Sequence, residues 1–186
     1  GDTGEPNIPK PTAPVQIGAD RKAVAKAAKL IEASKHPIIL AGELIAAENA
    51  GAELHQLADA TGAGVLTAYR QQDVIDNLHP AHFGQLTLNR LPYQNEALAE
   101  CDLIISIGSR LDSATTANYT MFRDDQKMIM VYPDASEFAA WQVDVAIGAQ
   151  SGPAMESLAE ALEGVEPPAE RIAWRDKVHA AEMAYA

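Results

Sequence analysis

Leu103-Ile104-Ile105-Ser106-Ile107 is an almost wholly apolar run, stopped by Gly108. A strand with one wet face alternates apolar and polar residues; a run that does not alternate must be covered on both faces. The same pattern recurs in Pro37-Ile38-Ile39-Leu40-Ala41 before Gly42, and in Met128-Ile129-Met130-Val131-Tyr132 before Pro133. Pro37 is tolerable there because it stands at the first position of its strand, where a missing N–H costs least. Further strands are expected over Val65–Ala68 and Val143–Ile147.

Helical spacing fills the intervals. Asp20 is placed to cap a helix whose Val24, Ala27, Ala28 and Ile31 form one apolar stripe. Ala47, Ala50, Leu54, Leu57 and Ala58 line a second helix that ends at Gly62. Others are expected after Pro92 and over Pro153–Leu162. Helices alternating with doubly buried strands predict an α/β fold, a Rossmann-like three-layer sandwich with a five- or six-stranded parallel sheet. The folded domain is expected over residues 19–165. Residues 1–18, with Pro6, Pro9, Pro11 and Pro14, read as an N-terminal linker. The span from Tyr69 to Tyr93 reads as an irregular loop with one short helix. After the Glu166-Pro167-Pro168 break, residues 166–186 read as linker and an amphipathic helix, Arg171–Tyr185, detached from the core.

Asp and Glu number 26 against 14 Lys and Arg, a net charge of −12. Such a surface repels phosphate backbones and anionic lipid, so neither nucleic acid nor membrane is an expected partner; solubility is its simplest use. No apolar run approaches the roughly 20 residues of a membrane helix. Cys101 is the only cysteine, which rules out an intrachain disulfide and a cysteine-based zinc site and fits a cytoplasmic location.

Ligands of open parallel sheets bind where loops leave the carboxyl ends of the strands. Gly42 and Gly108 would let backbone approach a phosphate, Ser109 lies in the same turn, Arg110 could supply a forked charged contact, and Asp134 could accept from ribose hydroxyls. These five are the cofactor-binding candidates; the plainer alternative is that the glycines only permit tight turns. The dinucleotide fingerprint is absent. Gly62-Ala63-Gly64 precedes a strand instead of following one, and Thr67 stands where the third glycine would be, which argues against a nicotinamide oxidoreductase. His79 and His82 flank Pro80 and read as turn or capping residues, not a metal pair. Ser109 sits in no Gly-x-Ser-x-Gly elbow, and Cys101 beside Asp102 reads as a half-buried, inert thiol. Trp141 and Trp174 read as packing anchors. No catalytic or metal-binding residue emerges.

Several landmarks in order resemble the central domain of thiamine-diphosphate-dependent enzymes of the acetolactate synthase and benzoylformate decarboxylase kind. They are Ser34-Lys35-His36-Pro37 with its strand and Gly42; Tyr69-Arg70-Gln71-Gln72-Asp73 with His79-Pro80 and Gly84; Cys101-Asp102 through Gly108-Ser109-Arg110; and Thr115-Thr116, Tyr119 and Val131-Tyr132-Pro133-Asp134. The resemblance spans roughly residues 20–163. Flavin-holding members usually show Gly-x-Arg-Phe-Asp-Asp, where this chain has Gly108-Ser109-Arg110-Leu111-Asp112-Ser113. Its last strand ends in Gly148-Ala149, where the family often has Gly-Asp. The resemblance implies a longer parent, a lyase or transferase, whose other domains hold thiamine diphosphate and magnesium. It implies a dimer or tetramer, and a central domain that is inactive alone and seats FAD or ADP in some members. The alternative is a stand-alone adenine-nucleotide module taking FAD, ADP or NAD.

Overall fold

The computed structural model describes residues 15–185, so most of the expected N-terminal linker lies outside the described residues. Six parallel strands form one sheet in the order β3-β2-β1-β4-β5-β6. They are β1 (Pro37–Ala41), β2 (Gly64–Thr67), β3 (His82–Gln85), β4 (Leu103–Ile107), β5 (Lys127–Val131) and β6 (Val145–Ile147). The helices are α1 (Arg21–Ala33), α2 (Glu43–Ala47), α3 (Gly51–Thr61), α4 (Pro92–Glu100), α5 (Ser151–Ala161) and α6 (Ala169–Met183). A 3₁₀ turn, Ala135–Ala140, follows β5.

Side-chain alternation divides the core. Ile39, Ile105, Ile107, Ile129 and Val131 face α1, α3 and α5. Ile38, Leu40, Ile104, Met128 and Met130 face the opposite way, into the layer of α4 and α6. Period-two geometry sends neighbours to opposite faces, and both faces are dry, so the strands need apolar residues throughout.

Three expectations change. The second helix is two: α2 ends at Ala47, and Asn49 in the left-handed region (φ 54°) turns the chain into α3. The 69–93 span contains no helix of its own before α4 starts at Pro92, but the edge strand β3, whose His82-Phe83-Gly84-Gln85 has too little apolar pattern to announce itself. The last helix is not detached. Trp174 is buried, its ring edge-on to Phe83 at 5.6 Å and stacked on His36 at 4.6 Å, and its indole N–H donates to Glu100 at 2.6 Å.

The strongest anchor of α6 is Arg171, which is 3% exposed. Its guanidinium donates to the carbonyls of Thr61 (2.6 Å), Ile31 (2.8 Å), Glu32 (3.3 Å) and Ser34. The last carbonyls of a helix have no partner within it and carry its negative end. One fork thus closes the C-termini of α1 and α3 together. Nearby, Asp102 ties the α1–β1 turn by accepting from Ser34 Oγ (2.5 Å), Lys35 N–H (2.8 Å) and His36 N–H (3.0 Å). Burial would raise the Asp102 carboxyl, but these three donors more than offset it and hold it below the usual range.

Two histidines clip the segment that enters β3. His55 Nδ1 faces the Gly51 carbonyl at 2.7 Å, and its Nε2 accepts from Asp76 N–H at 3.3 Å. His79 Nδ1 accepts from Ala81 N–H at 3.1 Å and points Nε2 at Asp59, 3.4 Å away. His79 and His82 do not converge, because His82 turns to Glu182 at 3.6 Å.

Arg171→Met keeps the bulk but removes the donors, and should cost about 2–4 kcal/mol in urea unfolding followed by tryptophan fluorescence. Arg171→Lys should recover only part, since an ammonium lacks the fork. Burial lowers the pKa of both His79 and His82 from the ordinary 6.5, against the opposing pull of Asp59 and Glu182. Below 6.5 the unfolded chain therefore binds more protons, and stability should fall with pH from about 6.5 down to the folded values. The melting temperature between about pH 7.5 and 5.5 checks this, and His79→Gln should make the slope shallower.

Candidate functional site

The chain leaves β1 toward β2 and β3 and leaves β4 toward β5 and β6, so the topological switch point lies between the ends of β1 and β4. Four of the five candidates meet there. Gly42 N–H donates to the Ile107 carbonyl at 2.9 Å, and Leu44 N–H to the Gly108 carbonyl at 3.1 Å. A Cβ on Gly42 would overlap the Gly108 carbonyl and the Ser109 amide. The glycine is thus required by contact between two backbones, not by room for a ligand. Gly108 has φ +63°, and a Cβ there would also press on Ser151 Oγ and Leu44 Cβ.

Ser109 is buried, and its Oγ accepts from Leu111 N–H at 3.1 Å, a local turn bond that goes with the left-handed Leu111 (φ 56°). Arg110 has an exposed side chain, yet its Nε donates to Tyr132 Oη at 3.0 Å and lies 3.7 Å from Glu137. Asp134 stands on the next loop. It accepts from Ser136 N–H (2.9 Å) and Oγ (2.7 Å), bonds that cap the 3₁₀ turn and, with Arg110 nearby, hold its carboxyl below the usual range.

Two glutamates complete the edge. Glu43 follows Gly42 and is half-buried beside Arg110 and Asp112; burial raises its carboxyl, while its own amide, the Arg110 charge and the Arg110 amide pull it down. Glu48 reaches the first turn of α5, accepting from Gly152 N–H at 3.2 Å. Glu43 was visible in the sequence as the residue after a strand-end glycine. Glu48 carried no signal, because its partner lies 104 residues along the chain.

Around this edge the backbone is turned repeatedly. Arg70 (φ 66°) follows β2, and Ala117, Asn118 and Tyr119 (φ 49°, 57° and 64°) form a left-handed stretch after β4. Thr115 Oγ1 joins the two loops by accepting from Tyr69 N–H at 3.3 Å. Trp141 packs edge-on against Phe122 at 5.2 Å, the anchoring role expected of it. Cys101 is fully buried, not half-buried; its thiol bonds the Leu103 carbonyl, and burial pushes its pKa up to about 12.

Residues 24–158 match the family model described as "Thiamine pyrophosphate enzyme, central domain". The chain belongs to that family. This central domain is 33% identical over 141 residues to the acetolactate synthase large subunit of Corynebacterium glutamicum, covering 75% of this chain and 22% of that protein. It is 28% identical over 157 residues to a "Probable acetolactate synthase large subunit" of Methanocaldococcus jannaschii, covering 84% and 26%. Among solved structures, one assigned to the thiamin diphosphate-dependent enzymes, from Mycobacterium smegmatis, superposes with a TM-score of 0.70 at 19% identity. That match covers 86% of this chain and 31% of the other. The chain therefore spans about a quarter of the curated relatives' lengths.

Thiamine diphosphate itself needs donors for a diphosphate and a bridging metal. Among the described residues no three His, Cys, Asp or Glu side chains are placed to hold a metal ion. At the switch point, Arg110 donates through Nε to Tyr132 and lies 3.7 Å from Glu137.

Gly42→Ala should destabilise the central domain by at least about 2 kcal/mol, because the obstructing atoms are backbone. Gly148→Ala, whose Cβ would meet nothing within 4 Å, should leave the melting temperature nearly unchanged and serves as the control.

Proposed function

We propose that this chain is the noncatalytic central domain of a thiamine-diphosphate- and magnesium-dependent enzyme acting on 2-keto acids. The acetolactate synthase relatives favour a carboligase or decarboxylase, a transferase or lyase by class. The observation that carries the noncatalytic role is the switch point. Its backbone turns are in mutual contact, Arg110 Nε donates to Tyr132 Oη, and Ser109 Oγ is taken up by Leu111 N–H.

When bound, the cofactor would supply the carbanion-stabilising chemistry by which such enzymes cleave and join carbon bonds next to a carbonyl. The side chains here would contribute rigidity. The Arg171 fork and the Asp102 turn fix one end of the sheet, and the Gly42–Gly108 contact fixes the other. A domain so braced can hold flanking domains, with their cofactor and metal, at constant separation. In this reading residues 1–18 and 166–186 lead to those domains, with α6 already seated on the core, and the parent is a homodimer or homotetramer. A cytoplasmic location accords with the single, buried thiol. No helix among the described residues is long and apolar enough to cross a membrane.

The test is a thermal-shift titration of the 186-residue chain with thiamine diphosphate plus magnesium, alongside an assay with pyruvate. No shift and no turnover are expected. A saturable rise of several degrees, or pyruvate consumption by the chain alone, would refute the assignment.

A further inference from the structure

Cations are few on this chain and unevenly spread. Of its 14 Lys and Arg, five fall between residues 21 and 35, and four of these lie on α1. Lys22, Lys26 and Lys29 stand at i, i+4 and i+7, opposite the buried Val24, Ala27, Ala28 and Ile31, so they form one exposed stripe. The helix packed beside it, α5, carries the same pattern with the opposite sign. Glu156 and Glu160, with Glu163 in the turn that follows, are exposed on the side away from the buried Ala154, Met155 and Leu158. Among the described residues, none of these six makes an ion pair. Both placements are locally unfavourable. Like charges four apart on a helix repel, Arg21 and Lys22 sit at the positive end of α1, and Glu160 sits at the negative end of α5. Between the two helices runs an open groove of about 470 Å³, with Arg21 on one wall, Glu160 on the other, and Val24, Ala25, Ser157 and Ala161 beneath. At the head of α5, Gln150 pairs with the backbone of Ile17 (3.2 and 3.0 Å), which leaves Ile17 and Val15 as exposed apolar residues.

We propose that the α1–α5 face is the contact surface for a second copy of this chain. A two-fold axis along the groove sets α1 of one protomer on α5 of its partner, and α5 on α1. The same patch then meets itself with opposite charges on both sides, as a self-complementary interface must. Two copies, each of net charge −12, repel over most of their surface, and the α1 stripe is where that repulsion reverses. Pairing also relieves the like-charge repulsion within each stripe, which nothing inside one protomer does. The small residues under the groove let the two helix layers approach, while the charges around it fix the register. Because the attraction is between exposed charges, the contact is sensitive to salt. It rests on the charge layout alone, so its failure would leave the thiamine assignment standing.

The experiment is analytical ultracentrifugation of the 186-residue chain over a range of concentrations, at low salt and at high salt. The wild type should dimerise with a Kd of about 0.1 mM or tighter at low salt, and at least about tenfold more weakly in about 0.5 M sodium chloride. The triple variant Lys22→Glu, Lys26→Glu, Lys29→Glu should be monomeric, and so should Glu156→Lys, Glu160→Lys, Glu163→Lys. Mixed in equal amounts, the two should form a heterodimer about as tight as the wild-type dimer, since each stripe again meets its opposite. Circular dichroism checks that the variants are folded; if a triple variant unfolds, Lys26→Glu and Glu160→Lys carry the same exchange singly. A wild type that stays monomeric at about 0.5 mM and low salt would overturn the proposal. So would association that the charge reversals leave unchanged, or folded variants that remain monomers when mixed.

Discussion

The parallel pairing of β1 with β4, with the Gly42 backbone lying on the Gly108 turn, governs the arrangement around it. Two central strands can end this close only if neither turn carries a Cβ at the point of contact. Once they do, the amides of one turn find the carbonyls of the other, and the desolvation cost of burying both is met without solvent or ligand. The helices that follow start from fixed points. Ser151 at the head of α5 comes against Gly108, and Leu44 in α2 packs beside it.

The opposite end of the sheet is secured by charge instead of close approach. A buried guanidinium is costly unless every direction in which it points offers an acceptor. Arg171 meets most of that demand through its two terminal nitrogens, which find the unpaired carbonyls of two helix ends, while its Nε is left without a partner. Asp102, the acidic residue that opens the β4 signature, works similarly on three donors of the α1–β1 turn. Its position at the head of a family motif thus has a structural explanation. It holds the chain's entry into β1.

These two ends together describe a rigid spacer, which is what the proposed role in a thiamine enzyme requires. Charged groups are plentiful, but those at the candidate edge are matched to one another: Arg110 with Tyr132 and Glu137, Asp134 with Ser136, Glu48 with Gly152. The five residues first singled out for cofactor binding were chosen by position at strand ends, and four of them do assemble. Ser109 Oγ, Arg110 Nε and the Asp134 carboxylate are each turned to an internal partner.

By itself the sequence determined the sheet and its layers, because doubly buried strands must be apolar at every position and amphipathic helices must be periodic, both local patterns. It also marked Gly42, Gly108 and Arg110, since strand ends are where loops gather. Tertiary structure alone decided the rest. β3 took its strand form at the sheet edge through pairing with β2, not through its own composition. The last helix is docked because Arg171 and Trp174 found acceptors at Thr61, Ile31 and Glu100, far away in the chain. The Glu48 carboxylate, too, meets an amide that lies 104 residues away. Hydrogen bonds between residues so distant leave no periodicity to read, because spacing records only what neighbours along the chain do to one another.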